Sequence, residues 1–205
     1  MAIKVVSCEV RGSYVAAFEP KKNTMFPDQL PKYGMRVLIP KTDEGKQFMK
    51  SLKVAYANVI SEKWPNGAPD DVRPFLGKKT EKPCVFDGDT YTNTKGEVPS
   101  ENKGHWFLNA SNTDRPNIIH QSARSVQLTE PNTFQSGDYC HVQLAVYAYS
   151  KGSNGVGFSL DNIMVTRKGE PLSGKDDAED AFAEVKSSDG VDVGDFDDDD
   201  DDMFG

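Results

Sequence analysis

Residues 139–149 read Tyr-Cys-His-Val-Gln-Leu-Ala-Val-Tyr-Ala-Tyr. Successive side chains of an extended chain point to opposite faces, so Cys140, Val142, Leu144, Val146 and Ala148 fall on one side. Tyr139, His141, Gln143, Tyr147 and Tyr149 fall on the other. The first set is a core face; the second is polar and aromatic. Lys151-Gly152-Ser153-Asn154-Gly155 follows as a hairpin loop, and residues 156–166 read as the returning strand. With strand-like runs at 105–110 and 125–128, the second half of the chain is expected to be all β.

Upstream, residues 64–104 hold five prolines and five glycines. They read as a long excursion with one short strand near 84–86. Loops of this length in compact domains are generally functional or flexible, and this one carries Lys78, Lys79 and Lys82. Before it the spacing turns helical. Phe48, Leu52, Ala55 and Val59 recur at i, i+4, i+7 and i+11, and Met49, Tyr56 and Ile60 widen the stripe. Thr42 caps this helix, Asp43 and Glu44 favour its N-terminal dipole, and Pro65 ends it. A strand at 33–39 puts Tyr33, Met35, Val37 and Ile39 on one face and Arg36 on the other. Residues 20–31 form a basic loop containing Lys21, Lys22 and Phe26. Residues 3–10 and 13–18 read as two strands or one bent strand, with a polar break at Arg11-Gly12. The predicted fold is mainly β: an OB-fold barrel of five to six strands with one inserted α-helix and long loops.

Charge divides the chain. Residues 176–205 carry fourteen Asp and Glu against Lys186 alone, a charge of −13. The other 175 residues carry eighteen acids and twenty-three Lys and Arg, a charge of +5, so the net −8 hides a basic body. The predicted organisation is a folded domain over 1–175 and a disordered acidic tail over 176–205. An acidic tail on a basic body suits a nucleic-acid binder whose site is held weakly by its own tail and strongly by a polyphosphate. Phe204, following Asp197, Asp198, Asp199, Asp200, Asp201 and Asp202, fits a small apolar pocket with a basic rim on a partner protein. A merely solubilising tail is the plainer reading. No apolar run approaches eighteen residues and the start lacks a signal peptide, so a cytoplasmic protein with no membrane partner is expected. Cys8, Cys84 and Cys140 lie too far apart for a zinc motif and read as reduced thiols.

A sequence-tolerant single-strand binder needs aromatic faces for bases and Lys or Arg along the backbone path. Tyr139, Tyr147 and Tyr149 are the leading stacking candidates, followed by Tyr33, Trp106 and Phe107. Lys21, Lys22, Arg36, Lys78, Lys79 and Lys151 are the phosphate candidates. Catalysis finds little support. Asp87-Gly88-Asp89 is an ordinary turn sequence without a third acidic partner. His105, His120 and His141 have no nucleophile at a recognisable spacing. The glycines at 152–157 do not open a helix, so they are no phosphate loop. Neither a cofactor nor a metal is implied.

Ser136-Gly-Asp-Tyr-Cys-His-Val-Gln-Leu-Ala-Val-Tyr-Ala-Tyr149, Gly155-Val-Gly-Phe-Ser-Leu-Asp-Asn-Ile163 and Arg167-Lys-Gly-Glu-Pro-Leu-Ser-Gly174 resemble the C-terminal core of phage-encoded single-stranded DNA-binding proteins. Asp87-Gly-Asp89, Trp106-Phe-Leu-Asn-Ala-Ser111 and Arg115-Pro116 occur in the order of that family. The resemblance spans roughly residues 80–175 and includes the acidic tail with its aromatic tip. It implies an OB fold, sequence-independent binding of single strands in phage DNA replication and recombination, and a tail that recruits replication proteins. The rival readings are an acidic interaction adaptor or DNA mimic that binds protein only, and, more distantly, a metal nuclease using Asp87 and Asp89.

Overall fold

In chain order the strands are β1 (Ile3–Val6), β2 (Val10–Lys21), β3 (Lys32–Pro40), β4 (Leu76–Gly77), β5 (Val85–Asp87), β6 (His105–Asn112), β7 (Asn117–His120), β8 (Ala123–Gln127), β9 (Tyr139–Tyr149) and β10 (Gly155–Arg167). The helix α1 (Asp43–Lys63) lies between β3 and β4. This is a computed structural model, and it describes residues 2–24 and 28–172. The tail, with its six aspartates and Phe204, lies outside the described residues, as does Phe26.

The sheet order is β4-β5-β6-β3-β2-β9-β10-β7-β8, with β1 also paired to β9. Five strands are long: β2, β3, β6, β9 and β10, of 8 to 13 residues. The run β6-β3-β2-β9-β10 curls until β10 lies against β6 without pairing to it, which makes a partly open barrel. The shorter strands extend this frame at its edges. The mainly β fold with one helix between early and later strands is the one the sequence implied.

Periodicity explains the core. In β9, Cys140, Val142, Leu144 and Val146 are buried without measurable exposure. β10 offers Val156, Phe158 and Leu160, then Ile163 and Val165. The change of parity comes from an extra residue, Asp161, in a bulge between Leu160 and Asn162. The helix buries Phe48, Met49, Leu52, Ala55 and Val59 and packs on β9 and β1. Its N-cap Thr42 accepts from the Gly45 amide at 3.3 Å, and Trp64 stands at the C-cap.

Three local expectations change. Arg11-Gly12 does not break the N-terminal strand. The interruption is at residues 7–9, where Ser7 Oγ accepts from the Val142 amide at 2.8 Å while the Ser7 amide donates to Val142 O at 2.9 Å. The chain thus stays on β9 through a bulge, the bent-strand alternative. Arg11 sits within β2 because its guanidinium donates to Gly137 O and Glu170 O at 2.8 and 2.6 Å. The second difference is β7, which the sequence did not suggest: four residues whose pairing to β10 is parallel and non-local. The third is β4, two residues on β5 inside the long excursion.

Candidate nucleic-acid interface

The outer face of the barrel carries one aromatic cluster built around a cation. Arg36 of β3 is paired to Asn109 of β6, and its neighbour in the pleat, Leu38, is paired to Phe107. Phe107 in turn is paired to Phe86 of β5. The Phe86 and Phe107 rings stack at 5.0 Å and 12°, and Tyr91 meets Phe107 edge-on at 5.0 Å and 88°. The Arg36 guanidinium lies 4.4 Å from the Phe107 centroid, 4.7 Å from Tyr14 and 5.9 Å from Tyr91. Its hydrogen bonds, to Asn102 Oδ1 at 3.4 Å and Asn109 Oδ1 at 3.5 Å, are long and end on neutral oxygens. No carboxylate pairs with it among the described residues.

Beside this cluster, where β6 faces β10, a groove of about 500 Å³ opens, with Phe86, Tyr91 and Tyr149 among its walls and Arg73, Lys79 and Lys82 on its rim. None of these three cations has an ion pair among the described residues. Lys79 Nζ stands 5.0 Å from the Tyr91 centroid and donates to Thr92 O at 2.7 Å.

Tyr147 and Tyr149 lie on this side as the alternation of β9 required. Their rings are 6.3 Å apart and each lies across a glycine of β10, since Tyr147 is paired to Gly157 and Tyr149 to Gly155. A Cβ on Gly157 would stand 2.7 Å from Tyr147 Cζ, and one on Gly155 would stand 2.8 Å from Tyr149 Oη. Absent side chains on β10 therefore let both rings rest on backbone. Tyr147 is 37% exposed.

The structure distributes the other candidates unevenly. Phe107 is 1% exposed and forms the floor under Arg36, with no free face for a base. Trp106 points the opposite way in β6, against the core and 5.4 Å from Lys41 Nζ. Tyr139 sits at the far end of β9 between Arg11 and Arg167, 5.6 and 3.4 Å from its centroid. Tyr33 is half-buried opposite Asn112. Lys21 and Lys22 are exposed at the end of β2 and Lys151 in the β9–β10 loop, away from the Arg36 cluster, whereas Lys78 lines a second groove of about 370 Å³ with Lys79, Phe86 and Tyr91. Sequence reading missed Tyr14, Phe86, Tyr91, Arg73 and Asn109. The pair of glycines across the hairpin from Tyr147 and Tyr149 was the one legible signal, as Tyr-x-Tyr facing Gly-x-Gly.

Asp87 and Asp89 are occupied structurally. Lys41 Nζ lies 2.6 Å from Asp87 Oδ1 and 2.6 Å from Asp89 Oδ2, and Asp89 Oδ1 accepts from the Gly104 amide at 2.7 Å. The Lys41 hydrogen bond, followed by that of Gly104, holds the Asp89 carboxyl below its ordinary value. The histidines are likewise engaged: His105 Nδ1 with Lys103 O, His120 Nδ1 with Ser122 Oγ, and His141 Nδ1 with Ser7 O.

The family described as Enterobacter phage Enc34, ssDNA-binding protein, matches residues 3–192. The chain belongs to that family. A curated relative, putative protein p50 of Acyrthosiphon pisum secondary endosymbiont phage 1, is 25% identical over 172 residues, 84% of this chain and 88% of its own length. Among solved structures, the single-stranded DNA-binding protein of bacteriophage Enc34 in complex with ssDNA superposes with a TM-score of 0.64 at 18% identity, covering 82% of this chain and 89% of that one. The same phage protein in a second structure gives 0.63 at 20% identity, covering 87% and 89%. These likenesses establish the fold. Membership of a family of binding proteins, not enzymes, agrees with Asp87 and Asp89 being locked to a lysine.

Proposed function

We propose that the chain binds single-stranded DNA without sequence preference, through the Arg36 cluster and the adjoining groove. The observation that carries this reading is the coexistence of four cations without ion pairs among the described residues, Arg36, Arg73, Lys79 and Lys82, with tyrosines whose rings rest on glycine backbone or stand exposed. Cations already neutralised by carboxylates would have little left for a phosphate, and rings packed on both faces nothing for a base. Membership of the family and the DNA complex of a protein with the same fold support it.

The reading extends to phage DNA replication and recombination, with the acidic tail as competitor and as recruiter of partner proteins. A tail of −13 on a body of +5 carries enough charge to occupy a basic groove weakly, and Phe204 gives a partner an apolar anchor. Cations without carboxylate partners speak against a DNA mimic, which would present acids in their place.

The test is a comparison of single-stranded, duplex and RNA oligomers of equal length over a range of salt. Single-stranded DNA should bind tightest, with a log–log salt slope of about −0.7 per phosphate neutralised. Equal affinity for the duplex would overturn the reading. Removing residues 176–205 should tighten binding at low salt, less so as salt rises. Phe204→Ala, which keeps every carboxylate, should leave DNA affinity unchanged and weaken capture of replication proteins.

A further inference from the structure

With Lys82, Tyr14 is one of two non-glycine residues of the described chain whose φ is positive. Its φ is +50°, in the left-handed region that a bulky side chain rarely occupies. It is also a large aromatic left 59% exposed. Both facts come from one bulge: β2 pairs with β3 at Ser13–Arg36 and again at Ala16–Gly34, so three steps along β2 match two along β3. The extra residue throws the Tyr14 ring outward over Arg36. Strain of this kind persists only where the surroundings over-determine it.

The surroundings are a turn more than a hundred residues away in sequence. Val15 donates its amide to Ser136 Oγ at 3.0 Å, which supplies the acceptor that the interrupted ladder withholds. On either side of that bond the Gly12 amide donates to Asp138 O at 2.9 Å and the Gly137 amide to Gly12 O at 2.8 Å. The turn is itself held by a buried carboxylate. Asp138 is 3% exposed and its carboxylate accepts from the Gln135 amide at 2.8 Å, Lys168 Nζ at 2.9 Å and the Gly169 amide at 3.2 Å. Phe134 is buried against Gly12.

The geometry points to Tyr14 as a further base-stacking residue, displayed by a strained bulge, and to Ser136 as the positioning residue that holds the bulge open. Arg36 backs one side of the ring, so a base on the exposed side would complete a base–tyrosine–guanidinium layer with a cation in reach of the adjoining phosphate. The inference rests on the single-strand reading above.

The test is a double-mutant cycle on the full chain, with affinity for an oligothymidylate and melting temperature measured together. Tyr14→Ala should weaken binding by roughly 5- to 150-fold, the equivalent of one stacked base. Ser136→Ala should weaken it by roughly 3- to 10-fold, the worth of one hydrogen bond. In the Tyr14→Ala background Ser136→Ala should cost no further affinity, whereas with Tyr14 in place Ser136→Thr, which keeps the acceptor, should bind as the unaltered chain does. Tyr14→Gly should bind as poorly as Tyr14→Ala while melting no lower than the unaltered chain, because glycine tolerates the left-handed backbone. Additive losses would overturn the role of Ser136, since a merely structural bond weakens both backgrounds alike. Unchanged affinity in Tyr14→Ala would overturn the whole inference and leave the single-strand reading intact. An unaltered chain that bound no oligothymidylate would sink both.

Discussion

At one end of β9 the Tyr139 ring lies between Arg11 and Arg167, and both arginines are already engaged, Arg11 by Gly137 O and Glu170 O and Arg167 by Glu9 at 3.1 Å. At the other end Tyr147 and Tyr149 rest on the backbone of Gly157 and Gly155, and the nearby Arg73, Lys79 and Lys82 have no ion pair among the described residues. The three tyrosines share one strand and one face. What separates them is the charge state of their neighbours: Arg167 is paired with Glu9 at one end, whereas Arg73, Lys79 and Lys82 have no carboxylate partner among the described residues at the other. Residue type and alternation place an aromatic on a surface, and the partners of its neighbours decide whether it is structure or binding site.

The largest expected effect tests this contrast directly. Tyr147→Ala and Tyr149→Ala should each cost roughly 1 to 3 kcal/mol of single-strand affinity with the fold retained. Tyr139→Ala should leave the affinity of the folded protein nearly unchanged and lower the melting temperature instead. Titration of a fluorescent oligonucleotide, with thermal melts of the same samples, separates the outcomes; equal affinity losses at both ends of β9 would erase the distinction.

The cations make the same contrast on a smaller scale. Arg36→Gln should cost about 1 kcal/mol at low salt, the Coulomb value for one charge pair about 4 Å apart in water. It should also flatten the log–log salt slope by about 0.7. Arg167→Gln, whose charge is spent on Glu9, should leave that slope alone.

The glycines beneath the open tyrosines sharpen it further. Gly157→Ala adds a methyl 2.7 Å from the Tyr147 ring, which must tilt away at a cost of about 0.5 kcal/mol or more. The expected result is a modest loss of affinity that vanishes in the Tyr147→Ala background. A loss that persists there would mean that Gly157 acts through the backbone of β10 and not through the ring.

The legible parts of this molecule are those governed by short periods. The helix with its Thr42 cap, the two faces of β9 and the hairpin into β10 follow from spacing within one element, and all stand where spacing puts them. The interface is different because it is assembled from six strands and the excursion between α1 and β6. Phe107 carries the pattern of an outward aromatic, yet β5 and Arg36 cover it, and neither neighbour is visible from β6 alone. Tyr14 owes its position to a bulge fixed by Ser136, far away in the chain. Asp87 and Asp89 read as a turn in sequence, and only the fold reveals that Lys41 spans them.

That lysine, between β3 and α1, gives the smallest effect. Asp89 is hydrogen-bonded first by Lys41 and then by the Gly104 amide, so its carboxyl titrates below the ordinary 3.8. A carboxyl depressed in the folded state stabilises the fold above its unfolded value, and the contribution disappears as pH falls through the folded one. Lys41→Met removes the depressing cation but keeps a side chain against Trp106. Its melting temperature should therefore lie below that of the unaltered chain at neutral pH, and the gap should close as pH drops below 3.8. Single-strand affinity should not change at any pH where both proteins are folded, because Lys41 is already committed to carboxylates. A gap that stayed constant into acid would show that Lys41 acts through its charge over the Trp106 ring, 5.4 Å from the centroid, more than through the aspartates.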